Sequence, residues 1–489
     1  MLGPERLADT GRRALLAGFA AAAFVPARAF AGAAASLREV FDAAAVEPDA
    51  EKRLTLLRAY TPDPADRAVW TMVVRGIERE QALRRAFPNG RPDGASPYVV
   101  SQRHGAWLEL DAPKPGLAAR LDEETKRIEA EAALGIAPPG FVIAAIVERL
   151  RRAAGPSDEL TAAIGRQTAA LESLRPTPGA GVWRLPRGAA YYALRLECTT
   201  GSDLTPAQLD RRVEVETRVL LARADRILKG LGLVHGSVGA RLRALKRRPE
   251  HLYTNDDQGR ARAVAEMNAA LERLRPHLTA WFGPPPAPEA AVRRMSAADE
   301  VAGRRGYRDP PYYYPDLAKV SERPDFTLTT VAYHETIPGH LLQLARQAAA
   351  APHPMQLRYA AGYSEGWAIY AESLADRMGL LSPVQQLGFL QSILFRLARV
   401  SADLGLHFHR WERARAIAYL EETVGFELFF PFAAEVDRYA VEPAGFAGDA
   451  LMAIELMRRA RKLAPAAAAA RRFHDRVLNR GPISVEALP

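Results

Sequence analysis

Val331-Ala332-Tyr333-His334-Glu335-Thr336-Ile337-Pro338-Gly339-His340 is the stretch from which the rest of this chain is read. It reads as the end of a helix running from Thr327 to Ile337. A metal-chelating helix usually carries histidines four residues apart, because positions i and i+4 share one face. Here the spacing is six. In an unbroken helix, six residues turn through about 600°, which leaves the second imidazole about 120° around and about 9 Å further along the axis. An undisturbed helix therefore could not bring both histidines to one ion. Pro338 removes a backbone donor and crowds the preceding turn, while Gly339 tolerates unusual dihedrals. Together they can loop two residues out and return His340 to His334.

Further along, Gly362-Tyr363-Ser364-Glu365-Gly366-Trp367-Ala368-Ile369-Tyr370-Ala371-Glu372 reads as a second helix. Trp367, Ala371, Leu374 and Met378 form one stripe, with Glu365, Glu372 and Asp376 opposite it. A core face backed by solvated acids would explain that pattern. The small residues Ala361, Gly362, Gly366 and Ala368 around Glu365 instead suit close helix packing. A zinc site needs a third ligand and an open position for water, and a glutamate on the following helix can supply the ligand.

His-Glu-x-x-Pro-Gly-His followed by Glu-Gly-Trp-Ala-x-Tyr-x-Glu resembles the bacterial "domain of unknown function 885" proteins, which are grouped with the gluzincin-type metallopeptidases. Tyr312-Tyr313-Tyr314-Pro315, Asp403-Leu404-Gly405-Leu406-His407, Glu435-Val436-Asp437-Arg438-Tyr439, and Phe473-His474-Asp475 with Gly481-Pro482 fit the same family in order. The resemblance is clear over roughly residues 180–489. It implies a mainly α fold, a large multi-helix gluzincin-like peptidase with few short strands, and a zinc peptidase-like site. It names no substrate. One segment departs from it: where the family usually reads Pro-Gly-Gln-Ala-x-x-Tyr, this chain has Pro443-Ala444-Gly445-Phe446-Ala447-Gly448-Asp449.

In this reading His334, His340 and Glu365 are the Zn2+ ligands, and Glu335 is the general base that takes a proton from the attacking water. Glu372 is either an acid orienting one histidine or part of a solvated face. Later, Arg396, Arg399, Asp403, His407 and Arg410 share one face of an otherwise apolar helix. Asp403 could orient His407, which could donate to a developing oxyanion with Tyr439 or Arg438 nearby. A surface ladder of charges would explain the same spacing. The expected function is zinc-dependent hydrolysis of peptide or peptide-like amide bonds. The alternative is a weakly active or non-catalytic metal- or peptide-binding member of the same fold.

The remaining sequence bounds this picture. Hydrophobic residues make up 48% and charged residues 25%, ordinary values for a globular protein. Alanine and arginine dominate, which favours helix over sheet. The +9 net charge is spread along helices without a binding motif. No nucleic-acid partner is expected, and the charge reads as a solvated basic surface. Cys198 is the sole cysteine, which excludes a disulfide within the chain and a multi-cysteine zinc site. Arg12-Arg13, the apolar run Ala17–Val25 and Ala29-Phe30-Ala31 resemble a twin-arginine export signal. Its cleavage would deliver a periplasmic or secreted bacterial protein with no stable membrane anchor. An uncleaved amphipathic helix is the other reading of that segment.

The expected organisation is therefore a signal over 1–31, a helical region over 32–283, and a region over 284–489 carrying the zinc site. The proline run after Gly283 is the linker, and the two regions pack as one catalytic unit. Asp203-Leu204-Thr205-Pro206 should cap a helix. Gly181–Cys198, with Trp183, Tyr191 and Tyr192, could supply a short strand or two.

Overall fold

Ser36, Thr205 and Ser382 each open a helix with a reciprocal capping box, to Glu39, Gln208 and Gln385 respectively. Each pair satisfies two otherwise orphaned backbone donors. Pro206 and Pro383 follow in the first turn, where a missing N–H costs nothing. The computed structural model describes residues 36–489 apart from 92, 154, 156, 285–288, 428–429 and 464–465. The export signal expected over 1–31 lies outside the described residues. The chain is mainly α and forms two compact units.

The first unit reaches Pro92 and resumes over Pro97–Pro176. It contains α1 (Leu37–Val46), α2 (Ala50–Ala59), α3 (Arg67–Ala86), α4 (Leu117–Ala133), α5 (Gly140–Arg151) and α6 (Asp158–Ser173). Leu121 and Ile128 of α4 are buried, as are Ala163, Ile164 and Leu171 of α6, and these two helices pack together.

The second unit comprises Asp93–Ser96 and Thr177–Pro489. Its helices are α7 (Gly188–Thr200), α8 (Pro206–Gly230), α9 (Val238–Lys246), α10 (Asp257–Phe282), α11 (Ala297–Val301), α12 (Asp325–Glu335), α13 (His340–Ala350) and α14 (Pro354–Tyr359). They continue with α15 (Tyr363–Arg377), α16 (Pro383–His407), α17 (Arg413–Thr423), α18 (Phe432–Val441), α19 (Ala447–Arg461) and α20 (Ala467–Leu478). A small sheet of β1 (Ala291–Val292), β2 (Tyr307–Asp309) and β3 (Tyr312–Tyr314) has the order β1-β3-β2, with β1 parallel and β2 antiparallel to β3. α16 is buried along most of its length and packs on α8, α12, α17 and α18. Its wide apolar circumference accounts for that central place.

Two expectations need correction here. The strands anticipated in Gly181–Cys198 are a 3₁₀ turn at Val182–Arg184 followed by α7. Tyr192 and Leu196, one helical turn apart, are buried there, so aromatics that read as strand formers line a helix face instead. Nor does the division between units fall at the proline run after Gly283; it falls at Pro176–Thr177. α10, ending at Phe282, packs on α12 and α20, and the Phe282 ring lies 4.7 Å from the His474 ring. The chain on both sides of those prolines therefore shares one core.

Candidate metal centre

α12 stops at Glu335, and the Gly339 N–H turns back to the Tyr333 carbonyl at 3.1 Å. His340 then opens α13. The two histidines thus stand on different helices, rather than on one helix with two residues looped out. A Cβ at Gly339 would lie 2.0 Å from the His334 carbonyl oxygen, so only glycine permits this return. The Trp367 indole N–H, on α15, donates to the Pro338 carbonyl at 3.0 Å and ties the turn to the next helix. The His334 and His340 rings end 4.9 Å apart, nearly perpendicular.

α15 brings the third group. Glu365 Oε2 lies 3.6 Å from His334 Nε2, and Oε1 lies 3.3 Å from His340 Nε2. One ligand atom from each of the three residues falls within 4.8 Å of the others. Backbone contact sets this height: a Cβ at Gly362 would be 2.2 Å from the Gly448 oxygen, and one at Gly366 would be 2.4 Å from the Met452 Cβ. The small residues flanking Glu365 let α15 and α19 cross this closely.

The far side of each imidazole is also arranged. His334 Nδ1 lies 2.7 Å from Glu372 Oε1, whose side chain is 1% exposed. A carboxylate can only accept, so the proton sits on Nδ1 and leaves the Nε2 lone pair facing Glu365. Ser364 Oγ donates to Gln343 Oε1 at 3.1 Å and lies 3.3 Å from His340 Nδ1, so it accepts from that nitrogen. His340 Nε2 is buried with no hydrogen-bond partner. Two imidazole Nε2 atoms and a carboxylate therefore converge on one point, and with both rings neutral they form an electron-rich cluster that a divalent cation fits. With no cation counted, burial pulls His334 down, but Glu365 and Glu372 outweigh it and push it up to about 9. Burial likewise opposes the charge on Glu365, yet His334 and His340 hold its carboxyl well below the usual range. Burial lowers His340 despite the opposing pull of Glu365.

Glu335 does not join the ligands. Its carboxylate pairs with the Arg308 guanidinium, brought in on β2. Arg308 is cross-strand partner to Tyr313 on β3. Burial raises the Tyr313 hydroxyl, and the nearby Glu335 carboxylate raises it further. Sequence reasoning overlooked Arg308 altogether and met Tyr313 only as part of the Tyr312–Pro315 resemblance.

His407 and Tyr439 stand apart from this cluster in their bonding. His407 Nδ1 accepts from the Val182 N–H at 3.0 Å, and Nε2 donates to the Tyr439 carbonyl at 3.0 Å. The Tyr439 hydroxyl, fully buried, donates to Glu435 at 2.9 Å. Neither has a hydrogen left for a substrate oxyanion. Asp403 does not orient His407 either; it accepts from the Tyr192 hydroxyl at 2.5 Å and from the Ala444 N–H at 2.9 Å. Arg399, Asp403 and His407 thus form a buried polar lattice, while Arg396 lines the cavity beside His334 and Arg410 is exposed beyond the end of α16. Asp449, on the first turn of α19, is pushed up to about 7 by burial and then by Glu365, against the pull of Arg396, Arg399 and Arg438.

The lattice carries a stability prediction. Burial lowers both His407 and His474 to about 4. His474 accepts from the Tyr370 hydroxyl at 2.9 Å and donates to the Trp281 carbonyl at 3.0 Å. The unfolded chain binds these protons near the ordinary histidine value of about 6.5, so stability falls as pH drops from there toward 4. Each histidine contributes about 3 kcal/mol to that loss by this reasoning. Thermal melts between pH 7 and 4.5 should show His407→Gln less stable at pH 7 but with a shallower pH dependence than the parent. Parallel curves would refute this account of His407.

His334, Glu335 and Glu372 open onto a cavity of about 540 Å³ within the second unit. No helix among the described residues is long and apolar enough to cross a membrane. Among solved structures, a Colwellia psychrerythraea protein provisionally assigned as a lipoprotein aligns with a TM-score of 0.71 at 22% identity, covering 92% of this chain and 89% of that one. A Shewanella oneidensis protein, provisionally a lipoprotein of unknown function, aligns at 0.60 and 15% identity, covering 90% of each. These likenesses show a shared fold. Comparison with curated proteins finds no match. The sequence profile described as "Bacterial protein of unknown function (DUF885)" matches residues 33–489, and the chain belongs to that family.

Proposed function

We propose that this protein is a zinc-dependent hydrolase of peptide or peptide-like amide bonds that works outside the cytoplasm. The observation that carries this reading is the convergence of His334 Nε2, His340 Nε2 and a Glu365 oxygen, with both Nδ1 protons held by neighbours. Zinc bound there would supply a water acidic enough to lose a proton near neutral pH. Glu335, directly after His334, is the base that takes that proton. Amide hydrolysis also needs donors where the carbonyl oxygen becomes negative. With His407 and Tyr439 committed elsewhere, Arg308 and Tyr313 are the donors closest in setting, since both face Glu335 from the sheet.

Export is supported by the Arg12-Arg13 segment and by the provisional lipoprotein assignment of the two structural relatives. The second reading, a binding protein without turnover, draws on the Arg308–Glu335 ion pair, which occupies the base, and on Asp449 at the family's tyrosine position. Metal analysis of the purified protein, with hydrolysis of a mixed peptide pool before and after chelator, separates the two. Stoichiometric zinc and chelator-sensitive cleavage are expected. Zinc-loaded protein that cleaves nothing would favour the binding reading.

A further inference from the structure

The cavity reached by His334 and Glu335 is also lined by Lys246 and Arg323, with apolar wall from Leu328, Val331 and Phe426. Lys246 ends α9, and its ammonium lies 4.8 Å from the centre of the Phe426 ring. Among the described residues it has no hydrogen bond and no carboxylate within the 4.0 Å of an ion pair. Burial lowers its pKa; Glu322 and Glu427 oppose that shift from a distance, and Arg323 adds to it by repulsion. Arg323 is loosely held, with Asp316 at 3.7 Å. Two cations therefore face one cavity that Glu322 and Glu427 also line, Lys246 with an aromatic ring but no bonded carboxylate and Arg323 weakly paired. An ammonium half removed from water without a hydrogen-bonded anion is costly even over an aromatic ring, and a carboxylate between the two cations would relieve that cost.

We propose that Lys246, with Arg323, binds the terminal carboxylate of a peptide, so that the protein acts at the C-terminal ends of short peptides with an apolar last residue. This rests on the hydrolase reading for its chemistry, but the carboxylate site can be tested without turnover. The apolar wall accepts the last side chain, and the volume of about 540 Å³ lies within the range of small-ligand sites. Capture of a chain-end carboxylate gives register: it fixes which peptide bond reaches His334 and Glu335.

The test uses the zinc-loaded full chain with benzoylglycyl-phenylalanine, its C-terminal amide, and benzoylglycyl-glutamate α-amide, whose single free carboxylate is on the side chain. The native protein should prefer the free acid over the phenylalanine amide by about 10–100-fold in kcat/KM, the scale of a charged hydrogen bond. Lys246→Met should collapse that ratio toward one, mainly through KM, and Lys246→Arg should restore it. Arg323→Gln is an independent lesion with the same expected direction, should Lys246→Met fail to fold. Equal use of acid and amide by the native protein would overturn the proposal. Preference for the side-chain carboxylate over the terminal one would overturn its terminal assignment. If no peptide is cleaved, the hydrolase reading fails separately, and calorimetric titration of the same acid and amide decides the site. Tighter binding of the acid that is lost in Lys246→Met upholds it, and equal or absent binding refutes it.

Discussion

Glu335→Gln is expected to lower peptide hydrolysis by about 10²–10⁴-fold while leaving zinc content and fold intact, because a positioned base is typically worth that much. Glu335 is the last residue of α12, and its side chain is 20% exposed at the edge of the cavity. Its carboxylate meets Arg308 rather than the ligand atoms, so the amide leaves His334, His340 and Glu365 undisturbed. Glutamine also retains an oxygen that accepts from Arg308, which keeps β2 in place. Initial rates and zinc content, measured on one preparation, give the result. A glutamine variant that cleaves at the parent rate would remove Glu335 from the role of base.

The second large effect concerns retention of the metal. Glu365→Ala and His340→Ala each remove one of the three groups proposed to hold zinc and should leave the protein without zinc after dialysis against a mild chelator. Glu372→Ala should be gentler, about 10–100-fold in affinity, because Glu372 acts through the Nδ1 proton of His334. That ranking carries the argument. Stoichiometric zinc in Glu365→Ala would take Glu365 out of the site, and equal losses in Glu365→Ala and Glu372→Ala would erase the distinction between them.

The grouping of His334, His340 and Glu365 was legible because it depends on local grammar. Pro338-Gly339 announces a break between the histidines, and small residues around Glu365 announce a close crossing. What stayed hidden depends on distant partners. In the sequence Glu372 reads equally as an orienting acid or a solvated one, and the 2.7 Å contact with His334 places it with the imidazole. The α16 stripe misled for the same reason: Val182, Tyr192 and Ala444 satisfy Asp403 and His407 from far along the chain, and spacing alone does not reveal them. Arg308 left no periodic trace, because a strand of three residues is too short to show alternation. The division between units was obscured by composition, since a proline run looks like a boundary whether or not its flanks share a core.

The crossing of α15 and α19 has a mechanical consequence. Gly362 rests against the Gly448 backbone and Gly366 against the Met452 stem, so little side chain lies between the two helices beside Glu365. A ligand shell built on Glu365 would therefore widen little by tilting α15. Zinc–oxygen bonds run about 2.0–2.2 Å, whereas calcium takes about 2.3–2.6 Å and six to eight oxygens. In a metal-loaded site, an increase in ionic radius would fall mainly on torsions of the Glu365 side chain, with the two imidazoles held at Nδ1. Stiffness, added to the choice of donor atoms, would let such a site screen cations by size.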